Sequence, residues 1–274
     1  MINNLNKKPY LVAEIGWNFL GNLTLAKKMI LSAKKSGADA VKFQVWDPKY
    51  LTPGAWDKDG RREIYNKSYL NKKKYLILKK YSKKIKIDSF VSIFSTKQIS
   101  LLKQCNDNIV KIPSHEAYNL KLIKECIKKF KLVIISAGAL KKSELDKLSR
   151  FNKNKVIILH CVSSYPLKQE NCNFFKFDYL KKKFKNVGYS GHYHGLEDAI
   201  HAISKGACLI EKHFTTSNSL KGRDNKFAIK SNEMKKLREW INITSNMNKN
   251  NGIGLQECEK DIYLNYRGRW SHSE

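Results

Sequence analysis

The chain has 274 residues, 42% hydrophobic and 28% charged, which suits one large α/β barrel or two modest domains and excludes a mini-protein that needs covalent or metal staples. No apolar run approaches the roughly 18 residues that span a bilayer, Met1–Pro9 lacks the apolar core of a secretory signal, and Cys105, Cys126, Cys161, Cys172, Cys208 and Cys258 contain no CxxC pair, so a cytoplasmic protein with reduced thiols and no membrane partner is expected. A net charge of +29 invites a nucleic-acid reading, but only seven of the 53 basic residues are arginine and the lysine runs lie in helical stretches without interleaved aromatics; they read as solvated faces that also attract an anionic substrate.

In chain order, apolar β-branched runs predict strands at Tyr10–Gly16, Ala40–Gln44, Ser89–Phe94, Ile109–Pro113, Leu132–Gly138, Val156–Val162, Val187–Ser190 and Leu209–Phe214. Amphipathic stretches between them predict helices at Leu23–Ser36, Leu70–Ile85, Lys97–Gln104, Leu120–Phe130, Lys141–Arg150, Asn173–Phe184, Gly195–Ser204 and Asn232–Met247. Eight βα units in one chain of this length give the count of a (βα)8 TIM barrel. The first strand is not followed by a GxGxxG fingerprint, which disfavours an open doubly wound sheet. One barrel domain is therefore expected, with its core over 9–248 and a polar extension over 249–274. Val45–Tyr69, with Pro48, Pro53, Gly54 and Gly60, reads as a long loop, and loops of that size are usually functional.

Polar residues interrupt the apolar runs where a barrel keeps its chemistry, at the C-terminal strand ends. They are Glu14; Lys42 and Gln44; Ser92; Lys111, Ser114 and Glu116; Ser136; His160, Ser163 and Tyr165; Ser190 and His192; and Glu211, Lys212 and His213. Packing alone does not account for so many, because each unpaired buried polar group costs about 1–3 kcal/mol; His160 taken singly reads as a hydrogen-bonded structural histidine. His192 and His213, on adjacent strands, can share a divalent metal, with a carboxylate such as Glu14 completing the site. Lys42, Lys111, Ser92, Ser114 and Ser136 suit a phosphate and a carboxylate. A small, doubly anionic substrate follows, with Schiff-base chemistry on a barrel lysine as the alternative.

The segments Ala13–Asn18, Gly37–Gln44, Lys111–Glu116, Leu159–Pro166, Gly188–His192 and Ile210–Thr215 resemble, in order, the motifs of the N-acetylneuraminate (sialic acid) synthase family. That resemblance implies condensation of phosphoenolpyruvate with an N-acylated hexosamine to a 3-deoxy-2-keto nonulosonic acid plus phosphate. It further implies manganese or magnesium on His192 and His213, phosphoenolpyruvate binding by Lys42, Lys111, Ser114, Ser136, Ser190 and Ser163, and acidic groups Glu14 and Glu116 near the reacting carbons. Gln44, Tyr165 and Asp224 match sugar-facing positions.

Several positions depart from the family pattern. Phe19 stands where relatives carry a site-facing histidine, Ser92-Ile93-Phe94 lacks a threonine that helps hold phosphoenolpyruvate, and Ser190-Gly191-His192 and Gly222-Arg223-Asp224 replace the usual SDH and GPD. The antifreeze-like domain that reaches into the partner's site in most members is not expected here. A separate lid subunit or homodimer, a smaller acceptor, or a degenerate barrel that binds ligand without turnover would each accommodate these departures, and Arg223 could pair with an anionic acceptor.

Overall fold

Alternation of side chains along each apolar run gives every strand an inward and an outward face. A computed structural model, which describes residues 8–151 and 154–270, shows what those faces meet; most of the N-terminal stretch read for a signal lies outside these residues. The strands are β1 Tyr10–Gly16, β2 Ala40–Val45, β3 Asp88–Ile93, β4 Ile109–Ile112, β5 Leu132–Ser136, β6 Val156–His160, β7 Val187–Gly191 and β8 Leu209–His213. All pair in parallel with their sequence neighbours, and β1 pairs with β8, closing an eight-stranded barrel. The expected TIM barrel is the fold observed.

The surrounding helices are α1 Leu23–Lys35, α2 Arg61–Lys67, α3 Lys72–Lys84, α4 Ile99–Gln104, α5 Leu120–Lys129, α6 Lys142–Leu148, α7 Phe174–Lys183, α8 Glu197–Ser204, α9 Ser231–Met247 and α10 Lys260–Asn265. Asn22, Asn71 and Asn119 cap α1, α3 and α5 by accepting hydrogen bonds from backbone N–H groups of the first turns, which satisfies donors that a helix start leaves open. Among the described residues no helix is long and apolar enough to cross a membrane. The expected loop over Val45–Tyr69 instead contains α2 and two 3-10 turns, Pro48–Tyr50 and Ala55–Asp59. In the polar C-terminal extension, the six-residue α10 is too short to announce itself by apolar periodicity.

Outward residues such as Leu11, Ala13, Val41, Phe43, Val91, Val133 and Ile158 pack against the helices. Inward residues Val12, Ala40, Phe90, Ile109, Ile134, Ile157, Leu159 and Leu209 fill the lower barrel as a separate apolar plug. Two residues further along those same inward faces stand Glu14, Lys42, Ser92, Lys111, Ser136, Cys161 and Glu211. The period of the strand thus carries one ring of polar side chains to the top of the plug.

The outward face corrects two readings. Phe19, expected at the mouth in place of a site-facing histidine, is buried in the main core with its ring centre 5.9 Å from Phe43, and Ile93 is buried in the same layer. Neither plugs the barrel. His160 also faces outward, among Phe174, Phe177 and Tyr189, with Nε2 2.8 Å from the Cys172 carbonyl; burial pulls its pKa down to about 4, so it is a neutral structural histidine.

Lys212, one residue from the inward His213, is turned outward too. Its ammonium donates to Asp198 at 3.0 Å and to the Tyr193 carbonyl at 2.7 Å, while the Tyr189 hydroxyl donates to Asp198 at 2.9 Å. Both charges are buried, and removing one partner leaves the other uncompensated. Asp198→Ala is therefore expected to cost about 3 kcal/mol or more, seen as a lower urea midpoint by circular dichroism; an unchanged midpoint would show that this pair does not hold α8 to the barrel.

Candidate active site

Above the plug, β1, β2, β4 and β8 each contribute one charge. The Lys42 ammonium lies 2.7 Å from a Glu14 oxygen and 3.7 Å from Glu211, and it donates to Ser92 Oγ at 2.9 Å. Lys111 donates to both Glu211 oxygens, at 3.0 and 2.9 Å. Ser190 donates to Glu211 at 3.0 Å, and Gln44 donates to the other Glu14 oxygen at 2.7 Å. All four charged side chains are buried. Two ammoniums and two carboxylates make a closed, neutral set, the arrangement in which buried charge can be held.

Burial and neighbouring charge divide the two carboxyls. Burial pushes the Glu211 pKa upward, but Lys111 and Lys42 outweigh it and bring it down to about 2, so Glu211 is ionised. For Glu14 burial wins and, with repulsion from Glu211, holds the carboxyl above its ordinary value against the pull of Lys42. Burial also lowers the Lys111 pKa, and the neighbouring Lys42 charge adds to the effect.

The rim of the barrel is built by the loops after β4 to β8. Ser114 donates to Cys161 Sγ at 3.3 Å. A Cβ on Gly138 would lie 2.5 Å from Ser163 Oγ and 2.7 Å from Ser114 Oγ, so only glycine lets these two hydroxyls converge on the backbone after β5. Ser136 ends β5 immediately below, buried. Beside them, Cys161 Sγ lies 3.9 Å from His192 Nδ1; the His192 and His213 rings lie 5.5 Å apart between centres, with the Tyr165 ring 4.2 Å from His192. Asp224, in a 3-10 turn after β8, accepts a hydrogen bond from Trp17 Nε1. Burial raises the Asp224 pKa to about 6 against that bond.

The histidine pair suits a divalent cation. His192 Nδ1 donates to the Val162 carbonyl at 2.9 Å, since a carbonyl can only accept; against burial, neighbouring Cys161 and that carbonyl raise the pKa of this ring, and its neutral form carries the lone pair on Nε2. His213 Nδ1 is buried without a hydrogen-bond partner, 3.5 Å from Asp224; burial, then the neighbouring His192, holds this imidazole neutral, well below its ordinary pKa. Neutral imidazole is the ligating form. Glu14 does not complete the set as expected: its oxygens are engaged by Lys42 and Gln44, and among the described residues no three His, Cys, Asp or Glu side chains are grouped around a common cation position.

A family model for the NeuB family matches residues 29–252. The chain belongs to the NeuB family. It is 33% identical over 277 residues to the N,N'-diacetyllegionaminic acid synthase of Campylobacter jejuni, covering 94% of this chain and 82% of that protein. It is also 33% identical to the N-acetylneuraminate-9-phosphate synthase of Drosophila melanogaster, covering 85% and 67%. A crystal structure of N-acetylneuraminic acid synthetase from Leptospira borgpetersenii, in complex with citrate, superposes with a TM-score of 0.86 at 31% identity, covering 96% of this chain and 94% of that one. The resemblance seen in the six motifs is thus a family membership.

Within this NeuB-family barrel, Glu14, Lys42, Gln44, Ser92, Lys111 and Ser190 share one network, Ser136 stands in the same inward ring at the end of β5, and Ser114, Ser163, Tyr165, His192, His213 and Asp224 follow on the loops and strand ends of the rim. Glu116 does not join them: it is half-buried in the 3-10 turn Ser114–Glu116, with its carboxyl bonded to Asn119. Glu211, absent from the expected site set, is the carboxylate that ties Lys111, Lys42 and Ser190 together; its position two residues before His213 was the available signal. Cys161, two residues beyond the inward Leu159, was legible in the same way. Lys111→Met and Glu211→Leu are each expected to cost about 3 kcal/mol and the double variant less than the sum, measured by denaturant unfolding; strict additivity would show that the two charges are not coupled.

Proposed function

We propose that this chain condenses phosphoenolpyruvate with the open-chain aldehyde of an N-acylated hexosamine, giving a 3-deoxy-2-keto acid of the sialic type and inorganic phosphate. The observation that carries this reading is the neutral Glu14–Lys42–Glu211–Lys111 set directly beneath the Ser114–Gly138–Ser163 hydroxyl cradle, with the histidine pair beside it. Phosphate and carboxylate are the anions that ammonium groups, serine hydroxyls and backbone N–H groups hold best. The names of the two relatives described above, both synthases of nonulosonic acids or their phosphates, support the same product class.

In this mechanism Lys111, Ser114 and Ser163 hold the phosphate, and Lys42 with Ser92 orients the enolpyruvyl carboxylate. His192 and His213 would hold a divalent ion, manganese or magnesium, which when bound would supply polarisation of the acceptor aldehyde. The enol carbon attacks the aldehyde carbon, water adds at the resulting oxocarbenium carbon, and that carbon's bond to the phosphate oxygen breaks to leave the ketone. Glu14, with its carboxyl pKa raised and held by Gln44, handles the proton exchanged at the aldehyde oxygen or the water. Glu211 keeps both lysines charged and placed. Tyr165 and Asp224 line the acceptor side, where orientation of two substrates contributes most of what a rigid site can give.

The Schiff-base alternative needs a neutral lysine amine. Both candidate lysines are instead ion-paired, Lys42 at 2.7 Å and Lys111 at 2.9 Å from carboxylate oxygens, which favours charge recognition. Phosphate release is expected only with phosphoenolpyruvate, an N-acyl hexosamine and manganese or magnesium together. It should be lost on chelation, restored by added metal, and reduced at least about a hundredfold in His213→Ala. Borohydride with pyruvate should give no adduct mass on Lys42 or Lys111; a trapped adduct, or no phosphate release across a hexosamine panel, contradicts the reading.

A further inference from the structure

The charge count of the buried network leaves a gap. Lys42 and Lys111 are each neutralised by a carboxylate, so the set carries no net positive charge. A substrate with a phosphate and a carboxylate brings up to three negative charges. A cation on the His192–His213 side answers part of that charge, and another is needed where the phosphate sits.

Lys176 stands at that place. It lies in the first turn of α7, half-buried, and its ammonium donates to the Ala137 carbonyl. Ala137 is the residue between Ser136 and Gly138, so Lys176 is tethered to the backbone of the hydroxyl cradle itself. Its charge also reaches Cys161, whose sulfur is 3.3 Å from Ser114 Oγ. No carboxylate is paired with it among the described residues, in contrast to Lys42, Lys111 and Lys212. A cation in the first turn opposes the helix dipole and half-burial lowers its pKa, so the residue works against the stability of its own helix. Such a placement makes sense if an anion completes it.

We propose that Lys176 is a phosphate-binding residue: it leaves the Ala137 carbonyl and closes on the substrate phosphate above Ser114, Gly138 and Ser163. The inference rests on the phosphoenolpyruvate reading and names the cation that reading lacks.

The test compares Lys176→Met, Lys176→Arg and the exposed same-helix control Lys182→Met by calorimetric titration with phosphoenolpyruvate, inorganic phosphate and pyruvate, the last having no phosphate. Lys176→Met is expected to weaken phosphoenolpyruvate and phosphate by about tenfold or more while leaving pyruvate unchanged, with Lys176→Arg within about threefold and Lys182→Met within about twofold of the parent. The Lys176→Met protein should be no less resistant to urea than the parent, which separates lost binding from lost folding. Equal phosphoenolpyruvate affinity in the parent and Lys176→Met overturns the inference and leaves the proposed function standing. If the parent does not bind phosphoenolpyruvate, the proposed function fails, and the phosphate titration decides Lys176: a selective loss supports it, whereas equal or absent binding overturns it.

Discussion

Everything at the mouth of this barrel depends on two lysines and two glutamates held out of water in mutual contact. Each alone would be too costly to bury, and any three would leave an unpaired charge worth several kcal/mol. Together they form a rigid polar floor that the apolar plug below supports and the strand ends above complete. The floor fixes the height at which anions can sit, and it separates two carboxyls of the same chemistry into different roles. Glu211, between two ammoniums, stays ionised, and Glu14, dominated by burial, is available to exchange a proton.

The mouth is shaped by the segment after β2, which does more than connect β2 to α3. Trp46 donates from Nε1 to the Tyr65 carbonyl at 3.0 Å, and the Trp17, Trp46 and Tyr65 rings lie 5.2–6.0 Å apart between centres. Phe94 continues the cluster to His115. Trp17 also holds Asp224, so this aromatic wall and the rim beside His213 are mechanically joined. Arg223 reaches across the mouth to within 4.0 Å of Asp59, whose Oδ2 also pairs with Arg61 at 2.9 Å. The expectation that Arg223 meets an anionic acceptor therefore has a competitor on the protein.

The strands and their inward residues were legible because period-two alternation is a property of local sequence. Once Val12, Phe90 or Leu209 is assigned inward, Glu14, Ser92 and Glu211 follow. Partnerships were not legible in the same way: Lys111 and Glu211 are 100 residues apart, and only barrel closure brings β4 and β8 to face each other. Lys176 escaped notice because it sits in a lysine-rich helix where one more lysine carries no signal. Phe19 was misread because its neighbours in the turn after β1 follow no strand period, and its ring turns back against Phe43.

A crystal of the protein grown with manganese and phosphoenolpyruvate tests the central claim most directly. The expected result is anomalous density between His192 and His213, the enolpyruvyl carboxylate beside Lys42, and the phosphate against Ser114, Gly138 and Ser163 with Lys111 beneath it. Metal density elsewhere, or a phosphate bound outside the barrel mouth while the four-charge floor stays unchanged, would contradict it.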